Sequence, residues 1–144
     1  QGGSIQVVDD YAHHPNEIKA TLQAARQAFQ GQRLTLVFQP HRYTRTRDHF
    51  DDFIEALRLA DLIILTEVYA AGEAPIAAAD GKALARSLRT HFHLEPIYQS
   101  TLEKLPETIL EVSRDQDVVL TMGAGSITKV AAWLKDLAEQ GQHT

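Results

Sequence analysis

Two stretches of the chain carry most of the side chains that could do chemistry. The first reads Asp9-Asp10-Tyr11-Ala12-His13-His14-Pro15 and combines carboxylates, a phenol and imidazoles. Asp10 could accept hydrogen bonds from ribose hydroxyls or support a metal ion, and Tyr11 could lie against a flat base or sugar. His13 could donate a hydrogen bond to a phosphate or carboxylate oxygen. These residue types predict a binding or catalytic site.

The second stretch is rich in arginine and reads Gln39-Pro40-His41-Arg42-Tyr43-Thr44-Arg45-Thr46-Arg47. An arginine side chain presents a planar fork of donors that matches a carboxylate or phosphate in bidentate fashion. If a helix starts at Thr44, Arg42 and Arg45 lie where positive charge opposes the helix dipole, which costs stability. That placement favours a functional role, so we expect His41, Arg42 and Arg45 to bind an anion.

Each stretch also has a purely structural explanation. In the first, Asp9 or Asp10 would cap the following helix and His14 would simply be exposed. In the second, the arginines would pair on the surface with nearby carboxylates, namely those of Asp48, Asp51 and Asp52. We favour this surface pairing for Arg47, and ligand binding for Asp10, His13, Arg42 and Arg45.

Hydrophobic periodicity predicts the elements that position these side chains. Short apolar runs predict strands at Ile5 to Val8, Leu34 to Phe38, Leu62 to Leu65, Pro96 to Tyr98 and Val118 to Met122. Amphipathic spacing predicts helices at Asn16 to Phe29, Arg45 to Ala60, Gly81 to Phe92, Pro106 to Ser113 and Ser126 to Glu139. This alternation predicts a single doubly wound α/β domain, Rossmann-like, with a mostly parallel sheet and helices on both faces. Both polar stretches then follow strands, at the sheet edge where such folds bind ligands.

Composition restricts the class of protein. A length of 144 residues fits one domain, and a formal net charge of -5 argues against nucleic acid or an anionic membrane as a partner. The chain has no cysteine and no apolar run long enough to cross a bilayer, so the cytoplasm is the simplest location. The start Gln1-Gly2-Gly3-Ser4 lacks both an initiator methionine and signal-peptide features, which suggests a piece of a longer chain.

Three minor motifs carry weaker predictions. Gly123-Ala124-Gly125-Ser126 follows a strand and could cradle an anion with its amides, although a tight strand-to-helix turn explains it equally well. No glycine-rich phosphate loop ending in Lys-Ser or Lys-Thr is present, so this chain should not hold a triphosphate in that manner. His91 and His93 are predicted to be exposed residues near a helix end, and Trp133 is predicted to lie in the core.

The polar stretches resemble the C-terminal domain of the Mur ligases. The first matches an Asp-Tyr-x-His-x-Pro pattern of that family, which related folylpolyglutamate synthetases carry as a variant, and Ala12 stands where glycine is frequent. The arginine stretch from Phe38 to Thr46 is similar to that of the alanine-adding branch. Glu67-Val68-Tyr69-Ala70-Ala71-Gly72-Glu73 and Gly123-Ala124-Gly125 fit the same branch in the same order.

This resemblance implies that residues 1–144 are the C-terminal domain of a bacterial cytoplasmic enzyme whose UDP-sugar and central ATPase domains lie outside the chain. The whole enzyme would join L-alanine to UDP-N-acetylmuramate through an acyl phosphate, in peptidoglycan precursor synthesis. ATP and Mg²⁺ would be held mainly by the central domain, and this chain would contribute no metal ligand. The domain would close over its neighbours and be inactive alone.

The resemblance also implies individual roles. Asp10 and Tyr11 would contact ATP, and His13 would face the amino acid or the transferring phosphoryl group. His41, Arg42 and Arg45 would hold the alanine carboxylate, with His13, Arg42 and Arg45 taking part in catalysis. Tyr69 and Glu73 would bind substrate.

Two other hypotheses stay open on the sequence. A metal-dependent phosphoesterase would use Asp9, Asp10, His13 and His14 as metal ligands. A non-catalytic nucleotide-binding module would rest on the glycine turn at residues 123–125.

Overall fold

The computed structural model describes residues 4–142, and all structural statements concern that part of the chain. Its strands are β1 (Gln6–Asp10), β2 (Leu34–Phe38), β3 (Leu62–Leu65), β4 (Ile97–Tyr98) and β5 (Val118–Met122). Its α-helices are α1 (Pro15–Ala28), α2 (Tyr43–Asp48), α3 (Phe50–Leu57), α4 (Gly81–Phe92), α5 (Leu105–Val112) and α6 (Val130–Gln142). Short 3₁₀ turns occupy Ala77–Ala79, Leu102–Lys104 and Ser126–Lys129.

The strands form one parallel sheet in the order β1-β5-β2-β3-β4. Strands β2, β3 and β4 are therefore neighbours in chain order, whereas β5 lies between β1 and β2. Leu120 in β5 pairs with Val8 on one side and with Leu36 on the other. The predicted doubly wound α/β fold is confirmed.

The sheet is covered on both faces, as a parallel sheet requires. Alternate residues of a strand point to opposite faces, so Leu36 and Phe38 of β2 pack with α1, α3 and α4, while Val37 packs with α5 and α6. Trp133 packs against the second of these layers but is only partly buried, so it lies at the margin of the core.

Three predicted elements differ from the structure. The helix predicted from Ser126 to Glu139 begins with the 3₁₀ turn Ser126–Lys129 and continues as α6 (Val130–Gln142). The helix predicted from Arg45 to Ala60 is interrupted at His49, whose backbone (φ -120, ψ 27) leaves the helical region between α2 and α3. The sequence has neither glycine nor proline at this break, so the hydrophobic periodicity predicted one continuous helix. Strand β1 also extends past the predicted end at Val8, because Asp9 and Asp10 continue the parallel pairing with Thr121 and Met122 of β5. The Asp9 carboxylate additionally accepts a hydrogen bond from Thr121 Oγ1 at 2.7 Å.

Within residues 4–142, the search for a helix long and apolar enough to cross a bilayer finds none.

Candidate functional site

The two polar stretches meet at the carboxyl edge of the sheet, although β5 separates the strands that precede them. The ring centroids of His13 and His41 lie 6.1 Å apart. Around His13, the ring of Tyr11 lies at 5.3 Å and that of His14 at 4.7 Å. We call residues 11–14 the histidine turn and residues 41–47 the arginine segment. The structure thus brings the imidazoles of both stretches into one cluster.

The histidine turn is shaped by the start of α1. Glu17 Oε1 accepts hydrogen bonds from the backbone amides of His13 (3.2 Å) and His14 (3.1 Å), and these bonds lower the pKa of Glu17. Asp10 Oδ1 instead accepts from the amide of Ala12 at 2.8 Å, closing the turn after β1. The alternative in which Asp9 or Asp10 caps α1 is therefore wrong, because both carboxylates are bound elsewhere.

The protonation of His13 follows from its neighbour. His13 Nδ1 lies 3.0 Å from the carbonyl oxygen of Tyr11, which can only accept, so Nδ1 carries the proton. In the neutral ring, Nε2 then keeps its lone pair and can accept a proton or a hydrogen bond. Beside it the Tyr11 side chain is 66% exposed, so the face of its ring is open to a ligand or to another surface.

His41 has the opposite tautomer. Its Nδ1 lies 3.2 Å from Arg45 Nη1, and because arginine can only donate, this nitrogen accepts and Nε2 carries the proton. Burial, and then the positive charge of Arg45, lower the pKa of His41, which keeps the ring neutral near pH 7. Tyr69 stacks on the ring with a centroid distance of 5.4 Å and an angle of 14°. The cluster thus offers an N–H donor at His41 and, in the neutral form of His13, a lone pair at Nε2.

Arg42 adopts a backbone conformation that is sparsely populated by residues with a side chain. Its angles are φ 73 and ψ 135. The strain is held by backbone hydrogen bonds, from Arg42 N to Tyr69 O (2.8 Å) and from Thr46 N to Arg42 O (3.2 Å). Thr46 Oγ1 also donates to Arg42 O at 2.9 Å. Such strain costs about 1–3 kcal/mol and concentrates at functional sites.

Arg42→Gly is expected to raise the free energy of unfolding of this chain. Relief of about 1–3 kcal/mol of strain is opposed by the roughly 0.5–1 kcal/mol that glycine loses in chain entropy, so a net gain of about 1 kcal/mol, and at most about 2.5 kcal/mol, should appear in urea unfolding. The matched control is Arg42→Ala, which removes the same guanidinium but keeps a Cβ in the strained conformation. Equal stability of the two variants would show that the backbone at residue 42 is not strained.

A carboxylate from a distant loop caps the start of α2. Glu73 accepts hydrogen bonds from Thr44 N at 3.1 Å and from Thr44 Oγ1 at 2.5 Å, and these bonds lower its pKa. Glu73 belongs to the third loop, residues 67–75, which also pairs with His41 through the backbone of Tyr69. Its negative charge lies at the positive end of the helix dipole, where a carboxylate is favourable, and its hydrogen bonds go to Thr44 rather than to an arginine.

The guanidinium groups of Arg42 and Arg45 are not neutralised by the protein. Within residues 4–142, neither forms a salt bridge with a carboxylate, whereas Arg47 Nε pairs with Asp48 Oδ1 at 2.9 Å. The surface-pairing explanation is therefore confirmed for Arg47 and wrong for Arg42 and Arg45. Two positive charges without a carboxylate partner, beside an N–H donor, are the groups that an anion would need.

The glycine turn is used for packing. Gln39 Oε1 accepts from the amide of Ile127 at 3.0 Å, and Gln39 Nε2 donates to Ser126 Oγ at 3.0 Å, so a buried side chain occupies the position expected for an anion. A Cβ on Gly125 would lie 2.6 Å from Cγ of Tyr69. Gly125 therefore makes room for the ring that stacks on His41, and a tight turn accounts for the motif.

A cavity of about 460 Å³ opens beside Tyr69. Its lining includes Glu67, Ser126, Lys129 and Trp133. Sequence reasoning placed Gln39 and Glu67 in stretches of interest but assigned neither a role, and it did not single out Lys129. The available signal was position, since Gln39 and Glu67 come directly or almost directly after buried strands.

The ligand set that a metal-dependent phosphoesterase requires is not assembled. In the described residues, no group of three or more histidine, aspartate or glutamate side chains is arranged to hold a metal ion. Asp9 is engaged with Thr121 and Asp10 with the amide of Ala12.

Comparison with known proteins identifies relatives. A family model described as Mur ligase, glutamate ligase domain, matches residues 1–125. The UDP-N-acetylmuramate--L-alanine ligase of Methylobacillus flagellatus is 56% identical over 142 residues, which cover 99% of this chain and 30% of that protein. The ligase of the same name from Neisseria meningitidis serogroup A is 58% identical over 139 residues, covering 96% and 30%. The chain thus spans about 30% of the length of the curated relatives it matches.

Solved structures agree with this assignment. The crystal structure of UDP-N-acetylmuramate-alanine ligase from Thermotoga maritima matches with a TM-score of 0.75 and 31% identity, covering 95% of this chain and 27% of that one. A murein peptide ligase from Psychrobacter arcticus, at 20% identity, shares the fold with a TM-score of 0.74 and coverage of 92% and 27%. Because the family model covers most of its residues, this chain belongs to the Mur ligase family.

Proposed function

We propose that this chain is the C-terminal domain of a bacterial cytoplasmic ligase that joins L-alanine to UDP-N-acetylmuramate, with hydrolysis of ATP, in peptidoglycan precursor synthesis. The observation that carries the proposal is the cluster of His13, His41 and Arg45, with Arg42 at the start of the same segment, and the absence of a salt bridge to either arginine within residues 4–142. The names of the relatives at 56% and 58% identity support the substrates.

The chemistry of the cluster fits the two ends of a free amino acid. Arg42, Arg45 and the Nε2–H of His41 are all donors, and together they suit a carboxylate. His13 offers a lone pair at Nε2, which suits the amino group. An amine attacks only after it loses its proton, so His13 Nε2 is placed to take the proton from the alanine ammonium group.

Charge stabilisation is the second role of the arginine segment. When the amine attacks an acyl phosphate, the carbonyl carbon becomes tetrahedral and its oxygen gains negative charge. Collapse of this intermediate forms the amide bond and releases phosphate. Arg42 and Arg45 would stabilise that negative charge while they hold the alanine carboxylate. We assign Tyr69 and Glu73 to the same substrate site, Tyr69 through its stack on His41 and Glu73 through the cap on α2.

We assign Asp10 and Tyr11 to contact with ATP. Tyr11 and Tyr69, at 66% and 40%, are the large apolar side chains that stay exposed among the described residues, and both lie on this edge. An ATP held by a neighbouring domain could stack on Tyr11 and place its ribose near Asp10. The described residues do not assemble a magnesium site, so we assign Mg²⁺ to that other domain.

The experiment is an assay of ADP release by the full-length protein. We expect release only when UDP-N-acetylmuramate, L-alanine and ATP with Mg²⁺ are all present, and no release by this chain alone. Titration of this chain with ATP should show at most weak binding, because the sequence has no phosphate loop. Submicromolar ATP binding by the chain would favour the nucleotide-binding module, and metal-dependent phosphate release by the chain alone would favour the phosphoesterase.

A further inference from the structure

Glu67 is a partly buried carboxylate that joins three elements. It follows β3 and lies beside the cluster rather than in it. Its Oε1 accepts from the phenol of Tyr98 at 2.7 Å, and its Oε2 accepts from the phenol of Tyr43 at 3.1 Å. The amides of Val68 (2.8 Å) and Gly81 (3.4 Å) also point at Oε2. One side chain therefore connects the start of α2, the end of β4 and the start of α4.

Both phenols are donors in these bonds. Burial, and then the hydrogen bond to Glu67, raise the pKa of Tyr43 to about 12 and raise that of Tyr98 as well. Both hydroxyls therefore keep their protons at neutral pH, and both carboxylate oxygens of Glu67 are engaged.

Tyr43 connects Glu67 to the arginine segment. It is the first residue of α2, it follows the strained Arg42, and Arg45 lies two positions further on. Its ring is buried, at 5% exposure, so its hydroxyl fixes the rotation of the helix start. Tyr98 has the same bond to the same carboxylate but lies on β4, at the far edge of the sheet.

The packing around Glu67 leaves little freedom. A Cβ on Gly81 would collide with the backbone oxygen of Thr66 and with the ring of Tyr98. The third loop is also bonded to the arginine segment by its backbone, through Tyr69 O, and by the Glu73 cap. Glu67 and Glu73 thus hold α2 at consecutive residues, Tyr43 and Thr44.

We propose that Glu67 is a positioning residue that acts through Tyr43 to aim Arg42 and Arg45 at the ligand. It touches no substrate itself. The proposal rests on the function proposed above, in which the two guanidinium groups hold the carboxylate of the amino acid.

The test compares Tyr43→Phe with Tyr98→Phe in the full-length ligase. Each variant keeps its ring and removes one donor from Glu67, so each loses one hydrogen bond. We expect Tyr43→Phe to raise the KM for L-alanine about fivefold, the effect of one hydrogen bond, and Tyr98→Phe to change it less than twofold. Glu67→Ala removes both acceptor oxygens and should raise the KM at least as much as Tyr43→Phe. Adding Tyr43→Phe to Glu67→Ala should bring no further increase.

Equal KM changes in the two tyrosine variants, or no change in either, would overturn the proposal. A second readout does not depend on ligase activity. Amide hydrogen exchange in α2 of this chain should accelerate in Tyr43→Phe and not in Tyr98→Phe. The two failures can be told apart. If exchange in α2 accelerated in Tyr43→Phe but the full-length protein showed no alanine-dependent ADP release, the proposed function would fail and the structural role of Glu67 would stand. If exchange in α2 did not change, the structural role itself would be overturned.

Discussion

Replacing Arg42 or Arg45 with alanine in the full-length ligase is expected to raise the KM for L-alanine by roughly 10- to 100-fold and to lower turnover. A hydrogen bond to a charged group contributes about 1.5–3 kcal/mol, which corresponds to that range. Turnover should fall too, because in the proposed function the same charges stabilise the intermediate. Steady-state kinetics at varied L-alanine, with the other substrates saturating, measures both effects.

Arg47→Ala is the matched control for this prediction. Arg47 lies on the same short helix and carries the same charge, but it is exposed and paired with Asp48 at 2.9 Å. Its loss should change the KM for L-alanine by less than about twofold, because exposed pairs contribute little. Unchanged amino-acid dependence in both Arg42→Ala and Arg45→Ala would reject the assignment of the carboxylate site.

The second large effect is expected for His13→Gln. Glutamine keeps polar atoms but cannot take up a proton, so turnover should fall by about 100-fold or more, with a small change in the KM for L-alanine. His14→Gln is the control, since His14 is adjacent, exposed and only 4.7 Å from His13 between ring centroids. Single-turnover measurements would separate the chemical step from product release. Equal losses in the two variants would remove His13 from the proton-transfer role.

Much of the fold follows from the sequence because the strands are apolar and continuous. The bounds of β2, β3, β5 and α4 agree with the prediction, since each is a buried run or an amphipathic repeat with clear ends. The carboxyl edge could also be predicted, because both polar stretches directly follow strands in a parallel sheet. The break at His49 could not, since the apolar spacing of a helix continues across it.

The residues that orient the site could not be predicted from the sequence, for a different reason. Glu73 caps a helix that begins 30 residues earlier, and Glu67 binds phenols 24 and 31 positions away. No local pattern encodes such partners. The conformation of Arg42 could not be predicted either, because a positive φ is usually signalled by glycine. Here it is held by the hydrogen bond that Arg42 N donates to Tyr69 O and by the one that Arg42 O accepts from Thr46 N.

The structure also separates two sets of residues at this edge: those that would contact the ligand and those that orient them. The histidine turn and the arginine segment supply the groups that would meet the ligand. Glu67, Glu73 and Gly125 supply their orientation, by bonding Tyr43, capping Thr44 and making room for Tyr69. Substitutions in this second set are expected to weaken binding without removing any group that touches substrate.

The most direct measurement is a crystal structure of the full-length ligase with L-alanine and a non-hydrolysable ATP analogue bound. We predict that the alanine carboxylate lies within hydrogen-bonding distance of Arg42 or Arg45, with its amino group directed at His13. A carboxylate held by other side chains, with both guanidinium groups left in solvent, would contradict the account.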